Sequence, residues 1–165
     1  GNLFENMGSN GIQAKGGTHH VVIEQNKFTN AGMRSVNLGG STGLAFFRPL
    51  DAPFEAADLV VRANVFEGSD APIAFVGSTR IVVENNTIIE PEVWIYRILQ
   101  ETVDTSRFDS CGDNIFSNNL VYVDVRLRRD FNIWPNSRPE SFLFENNWWY
   151  NSYSLDLETE DRCQT

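Results

Sequence analysis

The sequence is short of positive charge. Its 13 Lys and Arg residues stand against 22 Asp and Glu residues, which gives a formal net charge of −9 at pH 7. Nucleic-acid binding depends on neutralising phosphates with Lys and Arg side chains, so this composition argues against a nucleic-acid partner. A chain this acidic binds an acidic glycan only through a local basic patch or through bridging cations.

Long apolar runs and cysteines are also scarce. No stretch approaches 18 consecutive apolar residues, so we expect neither a membrane-spanning helix nor a membrane partner. The only two cysteines are Cys111 and Cys163. They could form a disulfide that ties the tail back, as would suit an exported protein, or they could be two unrelated thiols. Both alternatives stay open because pairing cannot be deduced from sequence.

Motifs for metal or nucleophilic centres are missing. His19 and His20 have no Ser/His/Asp arrangement or zinc-ligand spacing around them. The acidic loop with Asp104, Asp109 and Asp113 lacks the fixed ligand spacing of a calcium site. We therefore predict no metal and no other cofactor, with calcium in this loop as the one weak alternative.

What the chain does have is a repeated motif in which a large apolar residue follows an Asn by two positions. The motif occurs six times, as Asn2-Leu3-Phe4, Asn26-Lys27-Phe28, Asn64-Val65-Phe66, Asn86-Thr87-Ile88, Asn119-Leu120-Val121 and Asn147-Trp148-Trp149. A repeat of about 22 residues, sometimes lengthened, indicates a solenoid whose units bury their apolar faces by stacking. We expect the Asn residues to serve as left-handed turn residues whose side chains hydrogen-bond along the stack.

A strand signal follows each motif. The segments that begin at Ile12, Val36 and Ile73 alternate apolar and variable positions before a Gly, and those at Tyr96 and Phe131 fit the same frame less well. Each repeat is thus predicted as a strand, a turn at Asn, a second strand and a Gly turn. With no helical period in the chain, this pattern predicts an all-β fold, a parallel β-helix of about six coils in a single domain, residues 1–165.

The Asn-x-Phe turns and the Val21-Val22-Ile23-Glu24 type of strand resemble the right-handed parallel β-helices of the pectate-lyase-like superfamily. The resemblance covers nearly the whole chain and implies the fold. It implies less about function, because the superfamily includes lyases, hydrolases, epimerases, adhesins and phage tail spikes.

Two repeats are lengthened just after the second strand, by insertions near residues 41–58 and 101–113. Insertions at equivalent points of a solenoid project from the same edge and often form its binding face. We therefore expect them to wall a groove over the outward residues of the second strand. The outward column is predicted to be Gln13, Asn37, Ala74, Arg97 and Asn132.

The residues expected in this groove suit a polysaccharide partner, since amides and guanidinium groups bind hydroxyls or carboxylates and an indole stacks on a sugar ring. The candidate catalytic residues are Lys15, Arg97 and Glu101. The candidate substrate-binding residues are Arg34, Asn37, Arg48, Gln100 and Trp134.

Two chemistries are open at such a site. In a β-eliminating lyase, Lys15 would remove the proton α to a uronate carboxylate while Arg97 or Arg48 neutralises that carboxylate. The Lys15 to Asn37 run resembles the Lys-then-Arg ladder of alginate and chondroitin lyases of this fold, although Asn37 stands where Arg is typical. In a hydrolase, Glu55 and Glu101 would form the carboxylate pair. The alternative is a non-catalytic repeat module for adhesion, assembly or glycan recognition.

The first motif, at Asn2, lies in the middle of a predicted coil. We therefore expect that N-terminal coils precede this sequence or that a second copy of the chain covers the open coil as a homo-oligomer. A secreted or periplasmic location is expected if an upstream segment carries a signal.

Overall fold

The computed structural model describes residues 1–152, in which each coil of the chain passes in turn through up to four parallel sheets, here named A to D. Sheet A consists of Leu3–Glu5, Lys27–Thr29, Val65–Glu67, Thr87–Ile89, Leu120–Val123 and Trp148–Asn151. Sheet B consists of Asn10–Ala14, Arg34–Gly39, Ala71–Val76, Tyr96–Leu99 and Phe131–Ile133. Sheet C consists of Thr18–His19, Ala56–Ala57 and Ser78–Thr79.

Sheet D completes each coil. It consists of Val22–Glu24, Val60–Arg62, Val82–Glu84, Ile115–Ser117 and Leu143–Glu145. Two short 3₁₀ helices, Leu44–Phe46 and Pro139–Ser141, interrupt the longer connections. The parallel β-helix is thus confirmed, but the prediction of two strands per coil was wrong. The residues after each Asn form a strand of their own, and sheet C adds a short fourth strand to the first three coils.

The predicted register is confirmed in sheet B. Ile12 pairs with Val36, Val36 with Ile73, Ile73 with Tyr96, and Tyr96 with Phe131. Apolar side chains from each rung thereby point into the solenoid, because alternate residues of a strand face opposite sides of the sheet.

The apolar column of sheet A runs through the core. The ring centroids of Phe4 and Phe28 lie 4.7 Å apart, and those of Phe28 and Phe66 lie 4.8 Å apart, with nearly parallel planes. Ile88 and Val121 continue this column, and both are fully buried. Burial of one large apolar side chain per coil against the next coil stabilises the stack of rungs.

The six Asn side chains form an unbroken ladder. Each Asn Oδ1 atom from Asn26 onward accepts hydrogen bonds from the backbone N–H and the Nδ2 atom of the Asn one coil earlier, at 2.9–3.1 Å. The structural role predicted for these residues is confirmed, but the prediction that they adopt the left-handed conformation was wrong. That conformation belongs to the residue before each Asn from Asn26 onward, with φ of 53–57° at Gln25, Ala63, Asn85, Asn118 and Asn146.

The described residues contain no helix long and apolar enough to cross a membrane. Cys111 is a free thiol that is fully buried in the core. The proposed partner of Cys111 in a disulfide, Cys163, lies outside the described residues.

Candidate functional site

The outward face of sheet B has the predicted side-chain column. Gln13 pairs with Asn37, Asn37 with Ala74, Ala74 with Arg97, and Arg97 with Asn132. Ala74 is fully buried although it lies on this outward face. Because the Ala74 side chain is small, the longer side chains of the neighbouring rungs cover it.

Arg34 links two of the other candidates across this face. Its Nη1 atom donates a hydrogen bond to Oδ1 of Asn37 at 3.0 Å, and its Nη2 atom lies 3.3 Å from Oε1 of Glu101. The Arg34 and Glu101 side chains are only 17% and 24% exposed. The ion pair therefore joins the second coil to the insertion that follows the fourth coil, and it neutralises the Arg34 charge.

Arg97 is held differently, without a carboxylate in direct contact. Its Nε atom donates to Oδ1 of Asn132 at 3.1 Å, and its guanidinium carbon lies 4.5 Å from the ring centroid of Trp94. Within the described part of the chain, the two terminal nitrogens of Arg97 make no hydrogen bond. Burial lowers the pKa of Arg97, and the nearby Arg34 charge lowers it further, whereas the carboxylates of Glu101 and Asp70 act in the opposite direction.

Trp94 was not among the sequence candidates. It stands three residues before Arg97, as Arg34 stands three residues before Asn37, and Asn37 and Arg97 share the outward column. Comparison of equivalent offsets between repeats was therefore a signal that could have identified it.

The two insertions pack against each other, as expected for insertions on one edge. The ring centroids of Phe47 and Phe108 lie 5.3 Å apart, and the Arg107 guanidinium carbon lies 4.9 Å and 4.7 Å from these two centroids. The Asp109 amide also donates to the Pro53 carbonyl oxygen at 2.8 Å. The insertions therefore form one continuous wall at the end of the sheet B strands.

Glu55 lies at the base of this wall and is 1% exposed. Its carboxylate accepts hydrogen bonds from the Gly16 amide, from the amide and hydroxyl of Thr42, and from the Thr102 hydroxyl, at 2.7–3.4 Å. Glu55 thus ties the first coil to both insertions. Its oxygens are engaged by protein donors, and its partner in the hypothetical hydrolase pair, Glu101, is paired with Arg34.

The remaining candidates are not part of the Arg34, Arg97 and Glu101 group. Gln100 is 7% exposed and uses its amide to bind the backbone of Thr102 and Cys111. Arg48 donates to the carbonyl oxygens of Ala45 and Phe47 within its own insertion. Both side chains therefore stabilise the backbone conformation of the insertions.

Lys15 and Trp134 lie at opposite ends of the sheet. Lys15 follows the sheet B strand of the first coil, and Trp134 follows that of the fifth coil with 43% of its surface exposed. Lys15 and Arg97 are three rungs apart, which separates their backbones by about 14 Å. The structure therefore places Trp134, and not Lys15, one rung from Arg97.

The acidic loop offers no assembled cation site within residues 1–152, where no group of three or more His, Cys, Asp or Glu side chains could hold a metal ion. The Asp104 carboxylate accepts hydrogen bonds from the amide and hydroxyl of Ser106, and Asp113 is paired with Arg138.

A depression of about 260 Å³ opens at the corner between sheets A and B. Its lining includes Met7, Gly8, Met33, Ser69, Asp70 and Glu92. Met33 and Asp70 directly precede Arg34 and Ala71, which are paired in sheet B. The depression therefore adjoins the outward face that carries Arg97.

Comparison with known proteins agrees with this architecture. No curated protein and no solved structure matches the chain. The model of the family described as "Right handed beta helix region" matches residues 1–153. The chain therefore belongs to the right-handed β-helix family.

Proposed function

We propose that the outward face of sheet B binds an acidic polysaccharide, with a carboxylate of the glycan on Arg97. The observation that carries this proposal is the arrangement of the Arg97 guanidinium. Its Nε atom is hydrogen-bonded to Asn132, and the guanidinium lies over the Trp94 ring. Its two terminal nitrogens make no hydrogen bond within the described residues. A planar guanidinium with both terminal nitrogens available matches a carboxylate as a two-point ligand.

The surroundings of Arg97 support a sugar ligand. Trp134, one rung further, has an exposed indole whose apolar face suits the C–H face of a pyranose ring. The wall formed by the two insertions borders the same face and limits the path of an extended chain. Partial burial of Arg97 strengthens its attraction to an anion, because the surrounding medium screens the charge less than bulk water does.

Recognition is favoured over cleavage by the spacing of the candidate catalytic groups. Elimination needs a base and a charge-neutralising group at the same sugar unit. A separation of about 14 Å between the backbones of Lys15 and Arg97 argues against both side chains acting on one sugar unit. The proposed function is therefore glycan recognition, and lyase activity is an outcome that the same experiment detects.

The test is isothermal titration calorimetry with polyglucuronate, hyaluronan and the neutral glycan dextran. We expect the acidic glycans to bind and dextran not to bind. Arg97→Gln is expected to weaken binding roughly 10-fold or more. Arg62→Gln is the matched control, because Arg62 pairs with Glu24 on sheet D and has the same charge. Equal losses in both variants, or no binding by the wild-type protein, would refute the proposal.

Cleavage is monitored in the same samples through the ultraviolet absorbance of unsaturated sugar ends. We expect no increase in absorbance. An increase that disappears in both Lys15→Ala and Arg97→Ala would instead establish elimination. If the wild-type protein binds no glycan, the alternative of a structural module for adhesion or assembly gains support.

A further inference from the structure

The depression at the corner of sheets A and B has carboxylates that the protein leaves unused. Asp70 and Glu92 line it, and neither side chain makes a hydrogen bond or an ion pair with any part of residues 1–152. By contrast, the Glu101 carboxylate is paired with Arg34. Asp70 and Glu92 are therefore available as hydrogen-bond acceptors for a ligand.

Apart from the amide of Asn30, the rest of the lining is apolar or small. The side chains of Met7 and Met33 are exposed, at 41% and 54%. Ser69 is buried, and its hydroxyl is hydrogen-bonded to that of Ser35 at 3.0 Å. Flexible thioether side chains adapt to irregular apolar surfaces. The depression thus combines apolar contact with two strong acceptors, which is the combination that a sugar ring with several hydroxyl groups needs.

The depression and Arg97 are neighbours with opposite charge. Asp70 is close enough to Arg97 to interact electrostatically with its guanidinium, and Trp94, which stacks on Arg97, donates its backbone N–H to the Asp70 carbonyl oxygen at 2.8 Å. A glycan with one unit on Arg97 would therefore place a neighbouring unit over Asp70 and Glu92.

On the basis of the proposed function, we propose that this depression is a subsite for an uncharged sugar, so that the ligand is a polysaccharide in which acidic and neutral units alternate. Hydroxyl groups of a neutral sugar donate hydrogen bonds to the Asp70 and Glu92 carboxylates. A uronate in the same place would bring a third carboxylate beside two others, which is repulsive. Arg97 thus selects the acidic sugar unit, and the Asp70 and Glu92 carboxylates exclude a second acidic unit from the neighbouring subsite.

Gly8 provides a way to fill the depression without disturbing the fold. A Cβ atom added at Gly8 would have no neighbouring atom within 4 Å, and the backbone there does not need glycine. Gly8→Leu is therefore expected to fold normally and to occupy part of the depression. Asp70→Asn combined with Glu92→Gln tests the charge separately, with nearly unchanged side-chain shape.

The experiment compares three glycans by calorimetry. Polyglucuronate is the homopolymer, and hyaluronan and heparosan alternate glucuronate with N-acetylglucosamine. The wild-type protein is expected to bind at least one alternating glycan roughly 10-fold more tightly than polyglucuronate. The Asp70→Asn/Glu92→Gln variant is expected to lose most of this preference by binding polyglucuronate more tightly, and Gly8→Leu is expected to weaken binding of the alternating glycan.

The control variant is Glu84→Gln combined with Glu145→Gln, which removes two negative charges from sheet D and should leave the preference unchanged. Arg97-dependent binding of polyglucuronate that is as tight as that of both alternating glycans would overturn this inference while leaving the proposed function intact. The absence of binding to all three glycans would overturn both. A preference that the charge variant retains would also overturn the inference.

Discussion

Oδ1 of Asn86 accepts two hydrogen bonds from Asn64, one from its backbone N–H and one from its Nδ2 atom, both at 3.0 Å. Both residues are almost fully buried. Asn86 repeats the arrangement toward Asn119 and also donates to the Val61 carbonyl oxygen. The Asn86 side chain therefore satisfies buried polar groups on both sides of its own coil.

Asn86→Ala is expected to destabilise the protein by about 3 kcal/mol, because the two donors of Asn64 lose their acceptor in a buried position. Asn2→Ala, at the exposed first position of the ladder, is expected to cost less than about 1 kcal/mol. Urea denaturation followed by circular dichroism measures both values. Equal costs at the two positions would contradict a buried, continuous ladder.

Ala63 adopts a left-handed conformation with φ of 53° and has an exposed side chain. Because Asn tolerates this conformation better than Ala, Ala63→Asn is expected to stabilise the protein by about 0.5 kcal/mol. Ala63→Val is expected to destabilise it by roughly 1 kcal/mol or more, since β-branched residues fit this region poorly. A neutral Ala63→Val variant in thermal unfolding would argue against the conformation.

Phe66 packs against Phe28 and is fully buried. Phe66→Ala is expected to cost roughly 3–5 kcal/mol in the free energy of unfolding, through lost burial and a residual cavity. Phe46→Ala provides the comparison, because Phe46 is 76% exposed and its loss should change stability by less than about 0.5 kcal/mol. A cost below about 1 kcal/mol for Phe66→Ala would mean that the core column is not formed.

Asp58 receives two hydrogen bonds from Arg80, at 2.7 and 2.9 Å, and these lower the pKa of its carboxyl group. The resulting stabilisation is present above the unfolded-state pKa of about 3.9 and is lost as the pH falls through the lower folded-state pKa. Asp58→Asn should therefore be less stable than the wild type at pH 7, and the difference should shrink as the pH falls below about 4.

Urea midpoints measured from pH 7 down to acid conditions check this dependence. High salt should reduce the difference at pH 7, because both side chains are partly exposed. Asn retains the left-handed backbone that Asp58 adopts, with φ of 54°, so the substitution tests the charge and not the turn. A difference that does not change with pH would contradict the Arg80 contact.

Cys111 is expected to resist alkylation in the folded protein. Burial raises the pKa of its thiol, so the reactive thiolate is scarce, and the side chain is closed to reagent. Iodoacetamide labelling followed by peptide mapping should modify Cys111 only in denaturant. A non-reducing map that contains a peptide linking Cys111 to Cys163 would contradict the free thiol.

The fold was largely predictable because its determinants repeat. Every coil presents the same Asn and the same apolar column, so equivalent positions align from the sequence alone. The pairs of Val36 with Ile73 and of Phe28 with Phe66 follow from that alignment. The left-handed residue was misassigned because Asn also occupies that position in three coils, at Asn85, Asn118 and Asn146.

The candidate site was predictable only in part. The register brought Asn37 and Arg97 into one column, and the insertions were expected on one edge. The repeat pattern did not predict which polar side-chain atoms remain available to bind a ligand. Gln100 and Arg48 have the same chemistry as binding residues, yet both are engaged with backbone groups of the insertions.

The sequence by itself thus determined the solenoid, its register and its core, because these depend on short patterns that recur in each coil. Only the tertiary structure decided that Arg34 is neutralised by Glu101, that the Arg97 guanidinium lies over the Trp94 ring, and that Asp70 lies near Arg97. Those contacts join side chains from different rungs and from an insertion whose path does not repeat. Their geometry depends on how each chain segment packs over the sheet, which no local sequence pattern specifies.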